Sequence, residues 1–333
     1  MNELVRDPIT GRWIIVSVDK IADISDFDME PHMKNAASCP FCVGSENLTP
    51  PEIVAHRKSG PPNSPGWTVR VVPNKFPALR IEGELNKQGF GVFDFMNGVG
   101  AHEVIIDTPD HMRDMADLSY TEAEEVIWAY RARSIDLRRD SRFKYILIFK
   151  NYGRAAGASL EHPHSQLIAL PIVPKRVQEE IDGAAKYFEY KERCVFCDMI
   201  REEKLERERI IYEDDRFLAV CPYVSRFPYE VWVLPKRHSS EFTHIDRDCV
   251  PCLAKALRDT MARIKKLLRD PSYNYIIHTS PINGHEREDY HWHIEIMPKL
   301  SRVAGFEWGS GFYINPVPPY LAAKNLLSVN IEG

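Results

Sequence analysis

The same order of sequence features occurs twice in this chain. Each copy has a CxxC pair, a single histidine, a helix-like segment, a strand, a loop and an HxH motif. The single histidine and the HxH motif are 51 residues apart in the first copy and 53 in the second. A repeat of this kind predicts two copies of one structural unit. We place them at residues 1–180 and 181–333.

Each copy supplies two thiols and two imidazoles, a donor set that suits a closed tetrahedral zinc site. The first set is Cys39, Cys42, His111 and His162, and the second is Cys194, Cys197, His238 and His291. One zinc ribbon joining the two CxxC pairs is disfavoured, because such ribbons separate their pairs by only ~15–20 residues. The alternative, a buried cysteine pair in a core, explains one pair but not the repeated order. We interpret Cys249, Cys252 and Cys221 as core residues.

The chemistry is predicted in the first copy, where a strand and a glycine loop precede the HxH motif. The loop carries Gly153, Gly157 and Ser159, and His162-Pro-His164-Ser-Gln166 follows. Alternate side chains of a strand share one face, so the two histidines and the glutamine are expected to point the same way. An imidazole can ligate a metal or attack phosphorus, an amide can donate to phosphate, and glycines let backbone N–H groups approach an anion. An HxH pair alone could equally be held by local hydrogen bonds.

The two copies differ in charge around the second histidine of the motif. In the second copy the loop 279–289 has one glycine and three carboxylates, and Glu295 takes the place of the glutamine. A carboxylate repels a phosphate, strongly so at low dielectric. We therefore expect the first half to be catalytic, with His162 on the metal and His164 free, and the second half to be non-catalytic.

Composition excludes several classes of protein. The chain has 333 residues, of which 44% are hydrophobic and 27% charged, as in a globular protein. The net charge of −5 gives no field that would attract nucleic acid. No apolar run is long enough to cross a bilayer, and the start lacks the pattern of a signal peptide. We expect a cytoplasmic protein with reduced cysteines and no membrane partner.

Hydrophobic patterning predicts alternating strands and helices. Strands are expected at 13–16, 68–72, 102–106, 145–149, 167–170, 210–212, 217–220, 230–234 and 273–278, with the last one around 291–297. Helices are expected from Thr121 to about Arg139 and from Val250 to Leu268, with a polar helix after Pro174. Thr121 and Glu124 are predicted to form the capping box of the first helix.

These residues resemble the galactose-1-phosphate uridylyltransferase family, within the histidine triad superfamily, over nearly the whole chain. The most specific match is Asn151-x-Gly-x-x-x-Gly157-x-Ser159-x-x-His162-Pro-His164-x-Gln166. The segments 7–13, 73–77 and 305–307 match further parts of the family pattern. The resemblance implies an α+β fold of two tandem histidine-triad-like halves, each an antiparallel sheet flanked by helices. It also implies a homodimer with shared active sites.

The resemblance further implies a nucleotidyl transfer of the ping-pong type. His164 would attack the α-phosphate of a sugar nucleotide, release sugar 1-phosphate and pass the nucleotide to a second sugar 1-phosphate. Gln166 would stabilise the charged transition state. The predicted substrate-binding residues are Asn74, Asn151, Gly157, Ser159, Gln166, Phe306 and Glu307. Among them, Asn74 would contact the nucleotide and Glu307 the sugar.

Other activities remain open at this point. Family members carry an Arg-x-x-Arg run after the first strand, whereas residues 18–23 here hold one cation, Lys20. Ser301 stands where the family has a lysine, and Ser165 stands where many uridylyltransferases have glycine. Ser165 and the segments 305–311 and 313–316 resemble the ADP-glucose phosphorylase branch equally well. An ADP-sugar phosphorylase, a nucleotide hydrolase and a zinc-stabilised nucleotide-binding protein are therefore the alternatives.

Overall fold

The computed structural model describes residues 1–27, 32, 36, 38–282 and 285–331. Among these, its strands are β1 (Glu3–Arg6), β2 (Trp13–Val16), β3 (Val54–Arg57), β4 (Trp67–Pro73), β5 (Gln88–Phe90), β6 (Phe93–Phe95), β7 (Ala101–Ile106), β8 (Tyr145–Tyr152), β9 (His164–Leu170), β10 (Ile210–Glu213), β11 (Phe217–Val220), β12 (Val231–Pro235), β13 (Tyr273–His278), β14 (His293–Pro298) and β15 (Tyr313–Asn315). Its α-helices are α1 (Tyr120–Leu137), α2 (Lys175–Lys191), α3 (Val195–Glu206), α4 (Cys249–Leu267), α5 (Gly305–Ser310) and α6 (Pro319–Leu327).

Ten strands form one antiparallel sheet in the order β10-β11-β12-β14-β13-β8-β9-β7-β4-β3. Counted from the centre, the first half contributes β8, β9, β7, β4 and β3, and the second half contributes their counterparts β13, β14, β12, β11 and β10. The two sets meet where β13 pairs with β8, with Tyr273 opposite Tyr152 and Ile277 opposite Ile148. The α+β prediction with two antiparallel halves is confirmed.

Helices α1 and α4 cover one face of this sheet and contact each other. Their buried side chains recur at helical spacing, as in Val126, Ile127 and Tyr130 of α1, and they pack against apolar residues of the strands. This gives one core shared by both halves. Because the core is shared, neither half buries its apolar face alone.

The predicted capping box of α1 is wrong by two residues. Ser119 is the N-cap: its hydroxyl accepts a hydrogen bond from the N–H of Glu122, whose carboxylate accepts from the N–H of Ser119. The sequence contains two overlapping matches to the capping pattern, Ser119/Glu122 and Thr121/Glu124. The earlier one is used, and it lets the helix begin at Tyr120.

Strand β9 begins at His164, so His162 precedes the strand instead of belonging to it. Pro163 lies between them and has no N–H to donate to a ladder, which limits the strand at this end. The carbonyl oxygen of Pro163 still accepts a hydrogen bond from the N–H of Asp107. The HxH motif is thus split between a turn and a strand.

A small sheet lies beside the second half. Strand β2 pairs antiparallel with β1 and parallel with β15. It packs on the large sheet through the cluster Ile14, Val16, Phe227, Met297 and Tyr313. None of the helices in the described part of the chain combines the length and apolar character that crossing a bilayer requires.

Candidate active site

The structure brings the first predicted cysteine and histidine set together. The ligand atoms of Cys39, Cys42, His111 and His162 all lie within 4.8 Å of one another. Sγ of Cys42 lies 3.4 Å from Nδ1 of His111 and 3.6 Å from Nδ1 of His162. Nε2 of His162 donates to the carbonyl oxygen of Thr108 at 2.8 Å. Because a carbonyl only accepts, Nδ1 of His162 holds the lone pair, and it faces the thiols.

The second set has the same geometry. Its members are Cys194, Cys197, His238 and His291. Sγ of Cys197 lies 3.4 Å from Nδ1 of His238 and 3.6 Å from Nδ1 of His291. The Nε2 atoms of these rings contact the carbonyl oxygens of Arg287 at 3.0 Å and Pro235 at 2.8 Å. Both sets therefore present two sulfur atoms and two Nδ1 atoms, a donor set that fits a tetrahedral metal ion.

A phenylalanine inside each CxxC pair contacts the rings of the HxH motif. The Phe41 ring lies 6.1 Å from that of His162 and 5.2 Å from that of His164. Phe196 lies 6.2 Å from His291 and 5.0 Å from His293 in the second half. Both pairs have the sequence pattern CxFC, which could have predicted this contact, but the sequence analysis did not use it. The duplication thus extends to the packing around the histidines.

His164 stands outside the first cysteine and histidine set. Its Nδ1–H donates to the carbonyl oxygen of His162 at 2.7 Å, so the neutral ring carries its lone pair on Nε2. Only 8% of the residue is exposed. This burial lowers the pKa of His164 to about 4, which keeps the ring neutral at pH 7. A neutral, oriented imidazole with a lone pair on its outer nitrogen is the form that can attack phosphorus.

Gln166 and Asn74 meet at a third residue, His102. Oε1 of Gln166 lies 2.8 Å from Nε2 of His102, and Nδ2 of Asn74 lies 3.1 Å from the same nitrogen. Strands β7 and β9 are neighbours, and Asn74 follows directly on β4, the other neighbour of β7. The sequence analysis gave His102 no role, because only the strand register reveals which residues it faces.

The glycine loop is held by the second half of the chain. Nδ2 of Asn274, on β13, donates to Oδ1 of Asn151 at 2.8 Å and to the carbonyl oxygen of Ala156 at 2.9 Å. This occupies the oxygen of Asn151 and leaves its NH2 group available to a ligand. Asn274 was also missed from the sequence, since its partners are more than a hundred residues away.

Two glycines of the loop have backbone angles that favour glycine. Gly153 has φ +78° and Gly157 has φ +84°. A Cβ at Gly153 would lie 2.1 Å from Oγ of Ser272, whereas a Cβ at Gly157 would meet no atom within 4 Å. Gly157 and Ser159 are exposed, so this end of the loop is open to a ligand.

Ser165 points away from the candidate site, into the core under α1. Its hydroxyl lies 3.1 Å from both carboxylate oxygens of Asp107 and 3.2 Å from the hydroxyl of Tyr275. The residue is fully buried. Its alternation with His164 and Gln166 along β9 explains the opposite direction. The serine therefore supports the strand that carries His164 and lies on the other side of the sheet from any ligand there.

Phe306 and Glu307 are not brought to His164 within one chain. Both lie on α5, which contacts β15 of the small sheet, and the Glu307 carboxylate accepts a hydrogen bond from the N–H of Ala304. The small sheet packs on β14 through Met297. Strands β13 and β8 separate β14 from β9, a distance of about 14 Å at about 4.8 Å per strand.

The second half has a different arrangement at the equivalent positions. Nε2 of His293 lies 3.4 Å from a carboxylate oxygen of Glu180, and its ring stacks on His278 at 4.6 Å. The ligand atoms of Glu180, His278 and His293 lie within 4.8 Å of one another. Burial disfavours a charge on His278, but Glu180 and Glu295 outweigh it and raise its pKa to about 10. Nδ1 of His278 faces Glu180 at 2.9 Å and its Nε2 faces Glu295 at 3.4 Å, so we interpret this group as an ion-paired cluster.

A cavity of about 1030 Å³ lies over this second-half face and not over His164. Its lining includes His293, Glu295, Arg226 and Lys299. Arg226 forms ion pairs with both Glu295 and Glu230. The carboxylates that line this face are therefore balanced by cations of the same chain.

The chain matches known proteins over nearly its whole length. Residues 5–174 match the family described as galactose-1-phosphate uridyl transferase, N-terminal domain, and residues 180–308 match its C-terminal domain. ADP-glucose phosphorylase of Arabidopsis thaliana is 38% identical over 99% of this chain and 93% of its own length. Galactose-1-phosphate uridylyltransferase of Thermotoga maritima is 31% identical over the full length of both chains.

Solved structures give the same result. The crystal structure of an ADP-glucose phosphorylase from Arabidopsis thaliana with bound ADP-glucose has a TM-score of 0.82 and 35% identity, and the match covers 99% of both chains. A uridylyltransferase structure has a TM-score of 0.77 and 26% identity over 98% of both chains. The fold and these relatives define a nucleotidyltransferase. The chain belongs to the galactose-1-phosphate uridylyltransferase family.

Proposed function

We propose that this chain exchanges a nucleoside monophosphate between a sugar nucleotide and a sugar 1-phosphate through a nucleotide carried on His164. UDP-glucose and a hexose 1-phosphate are the substrates we assign, and galactose metabolism is the setting. The observation that carries the proposal is the hydrogen bond from Nδ1–H of His164 to the carbonyl of His162. It fixes the lone pair on Nε2 in a ring that stands outside the cysteine and histidine set.

The reaction proceeds in two displacements. Nε2 of His164 attacks the α-phosphorus of the sugar nucleotide, and a P–N bond forms as the bond from that phosphorus to the bridging oxygen breaks. Sugar 1-phosphate leaves with the electron pair. A phosphate oxygen of the second sugar 1-phosphate then attacks the same phosphorus, and the P–N bond breaks to return the lone pair to Nε2. Such transfers depend mainly on positioning and on stabilising charge.

Neutral donors stabilise the phosphate during both displacements. We assign this work to the amide of Gln166, the amide of Asn151 and the open end of the glycine loop at Gly157 and Ser159. Donors placed where charge develops typically contribute a factor of about 100 each. Asn74 is assigned to the nucleotide by its match to the family pattern, and it begins the loop that follows β4.

We assign a zinc ion to each of the two cysteine and histidine sets. The fit rests on the donor atoms: two sulfur atoms and two Nδ1 atoms per set, with Nε2 of His162 and His291 bonded to carbonyl oxygens. Zinc bound there supplies a structural crosslink. In the first set this crosslink holds the turn from which the His162 carbonyl accepts the Nδ1–H of His164.

We infer that the working form is a cytoplasmic homodimer and that only the first half is catalytic. The distance from α5 to β9 within one chain supports a site shared between subunits, in which Phe306 and Glu307 of the partner subunit reach the sugar. His293, the counterpart of His164, has its outer nitrogen beside the Glu180 carboxylate. A phosphate approaching His293 would meet that carboxylate and Glu295.

ADP-sugar phosphorolysis is the second candidate, with inorganic phosphate as acceptor. The 38% identity to ADP-glucose phosphorylase of Arabidopsis thaliana favours it. So does the stretch after β2, where Asp19 pairs with the N-terminal ammonium and Asp23 caps a short helix at 24–26. Only Lys20 adds a cation to this stretch. The Arg-x-x-Arg run that holds the sugar phosphate in the family is absent from this stretch, which favours an acceptor other than a sugar 1-phosphate.

The deciding experiment follows the nucleotide onto the protein. The zinc-loaded full chain is incubated separately with UDP-glucose and ADP-glucose labelled with ³²P at the α-phosphate, and acid-labile label on the protein is measured. We expect label from UDP-glucose and its release as UDP-galactose when galactose 1-phosphate is added. Label from ADP-glucose that leaves as ADP on adding inorganic phosphate would favour phosphorolysis.

A matched pair of variants serves as control. His164→Gly removes the nucleophile and should abolish labelling, whereas His293→Gly changes the equivalent residue of the other half and should retain it. Release of nucleoside monophosphate without an acceptor would mark a hydrolase. Absence of label with both donors would contradict the proposal, and nucleotide binding without label would mark a zinc-stabilised nucleotide-binding protein.

A further inference from the structure

We propose that His102 is a positioning residue that turns the amide of Gln166 so that its NH2 group faces the transferred phosphate. The inference deepens the proposed function and depends on nucleotidyl transfer through His164. It starts from a contact that the strand register creates, the 2.8 Å distance between Nε2 of His102 and Oε1 of Gln166. His102 lies opposite Ile168 in the ladder between β7 and β9.

A backbone group determines the tautomer of His102. The N–H of Ala78 points at Nδ1 of His102 at a distance of 3.1 Å. A backbone N–H can only donate, so Nδ1 must accept and the proton of the neutral ring must sit on Nε2. The Nε2–H group then needs an acceptor, and the oxygen of Gln166 lies within reach at 2.8 Å.

The neighbouring amide of Asn74 agrees with this assignment. Oδ1 of Asn74 accepts the N–H of Phe76 at 2.9 Å, which identifies the oxygen of that amide. The nitrogen of Asn74 is therefore the atom 3.1 Å from Nε2 of His102. Two N–H groups cannot bond to each other, so this is a packing contact and the Nε2–H is left to Gln166.

The consequence for Gln166 is one of orientation. A side-chain amide rotates by half a turn at little cost, and in the wrong orientation its oxygen would face the phosphate and repel it. Once Oε1 accepts the Nε2–H of His102, the NH2 group must point the other way. His102 thus converts a group that could turn either way into a fixed donor, which lowers the reorganisation needed during transfer.

His102 also ties this donor to the loop that we assign to the nucleotide. The carbonyl oxygen of His102 accepts the N–H of Asn74 at 2.8 Å, and its ring accepts the N–H of Ala78. Both ends of the segment from Asn74 to Ala78 are therefore bonded to His102. His102 holds the loop through its carbonyl oxygen and Nδ1, and it holds the amide of Gln166 through Nε2.

Two amide variants separate these roles. In His102→Gln the new NH2 group lies near the place of Nε2 and can donate to Gln166, but the Ala78 N–H loses its acceptor. In His102→Asn the shorter oxygen can accept from Ala78, but no donor reaches Gln166. If His102 acts through Gln166, the first variant keeps the transfer rate; if it only anchors the loop, the second one does.

The test measures single-turnover labelling of the zinc-loaded protein with the α-labelled sugar nucleotide that labels the wild type. We expect His102→Asn to lower the rate constant about 100-fold while the apparent affinity for the sugar nucleotide changes less than about threefold. His102→Gln should stay within about fivefold of the wild type. Equal rates in all three proteins, or a larger loss in His102→Gln, would overturn the inference.

A second measurement is independent of activity. Nitrogen-15 NMR of the wild-type protein reports which ring nitrogen of His102 carries the proton, and we expect Nε2–H. A proton on Nδ1 would overturn the inference even if the variants fail to fold. If the wild type takes no label from either sugar nucleotide, the proposed function fails, and the NMR result still decides the orientation at His102.

Discussion

Nζ of Lys150 lies 2.6 Å from Oδ2 of Asp107, and neither side chain is exposed to solvent. The same ammonium lies 2.8 Å from Oδ1 of Asp114. Burial disfavours the charge on Lys150, yet the two carboxylates outweigh it and raise its pKa above the usual value. Asp107 in turn accepts the hydroxyl of Ser165. A buried charge group therefore lies directly behind the strand that carries His164.

Replacing Lys150 by methionine should lower the free energy of unfolding by about 3–5 kcal/mol, because two buried carboxylates would lose their cation. Guanidinium unfolding of the zinc-loaded protein measures this loss. Lys175→Met is the control, since its ammonium is exposed and lies 3.8 Å from Glu179. That change should cost less than about 0.5 kcal/mol. Equal losses for the two variants would contradict the assignment.

Single serine substitutions should remove the metal ions one at a time. We expect two zinc ions per wild-type chain and one in either Cys42→Ser or Cys197→Ser, because each variant breaks one set of four donors. Metal content after dialysis against a weak chelator measures this. Cys249→Ser is the matched control and should keep both ions. Loss of both ions from one variant would argue against two independent sites.

Asn274→Leu should slow nucleotide transfer by about tenfold, since Asn151 and Ala156 would lose the donor that fixes the glycine loop. Single-turnover labelling measures the rate. Asn325→Leu is a control of the same size change, because that amide bonds to the hydroxyl of Tyr229 instead. Wild-type labelling by Asn274→Leu would show that the second half does not support the loop.

Because His278 forms ion pairs, the free energy of unfolding should fall as the pH rises above neutrality. Its Nδ1 lies 2.9 Å from Glu180 and its Nε2 3.4 Å from Glu295, and its pKa is raised to about 10. Because the pKa of His278 is higher in the folded than in the unfolded protein, its ion pairs add to the free energy of unfolding. This contribution is complete below the unfolded pKa of about 6.5 and is lost as the pH rises toward 10.

The His278→Gln variant lacks these ion pairs, so comparing it with the wild type measures their contribution to stability. The stability difference between the wild type and the variant should be on the order of 5 kcal/mol near pH 6 and should shrink steadily up to pH 10, since one unit of pKa corresponds to about 1.4 kcal/mol. Urea unfolding at fixed free zinc measures it. A difference that stays constant over this range would mean that the ring is neutral, as it would be in a metal site.

The elements predicted from patterning include most of the central sheet. Strand β2 and strand β13 were predicted at their exact bounds, and β9 and α1 within a few residues, because each contains an apolar run or an apolar period that stands out from its neighbours. The short strands β1, β3, β5, β6 and β15 were not predicted. They have three or four residues each, and unlike the equally short β2 and β11 they do not form a continuous apolar run. Part of the irregular stretch 17–65 and of the loop 279–289 lies outside the described residues.

The repeated order of motifs was enough to predict two groups of four cysteine and histidine side chains, and the structure brings the members of each group together. By contrast, His102 and Asn274 could not be found from the sequence. Each contacts the candidate site through strand pairing, His102 across β7 and β9 and Asn274 across β13 and β8. Register is a property of two distant segments, and neither segment reveals it alone. The motif around Phe306 and Glu307 likewise did not reveal that α5 packs beside β15, away from β9, because a motif carries no information on where its segment packs.

The pairing of β8 with β13 makes the two halves mutually dependent. Separating them would bare the backbone N–H and C=O groups along β8, from Ile148 to Tyr152, together with the apolar side of α1 that packs on α4. An open edge next to an apolar surface recruits other chains and leads to aggregation. We therefore expect that a ribosome stopping between the two halves would release an aggregation-prone fragment, whereas the complete chain covers its own centre.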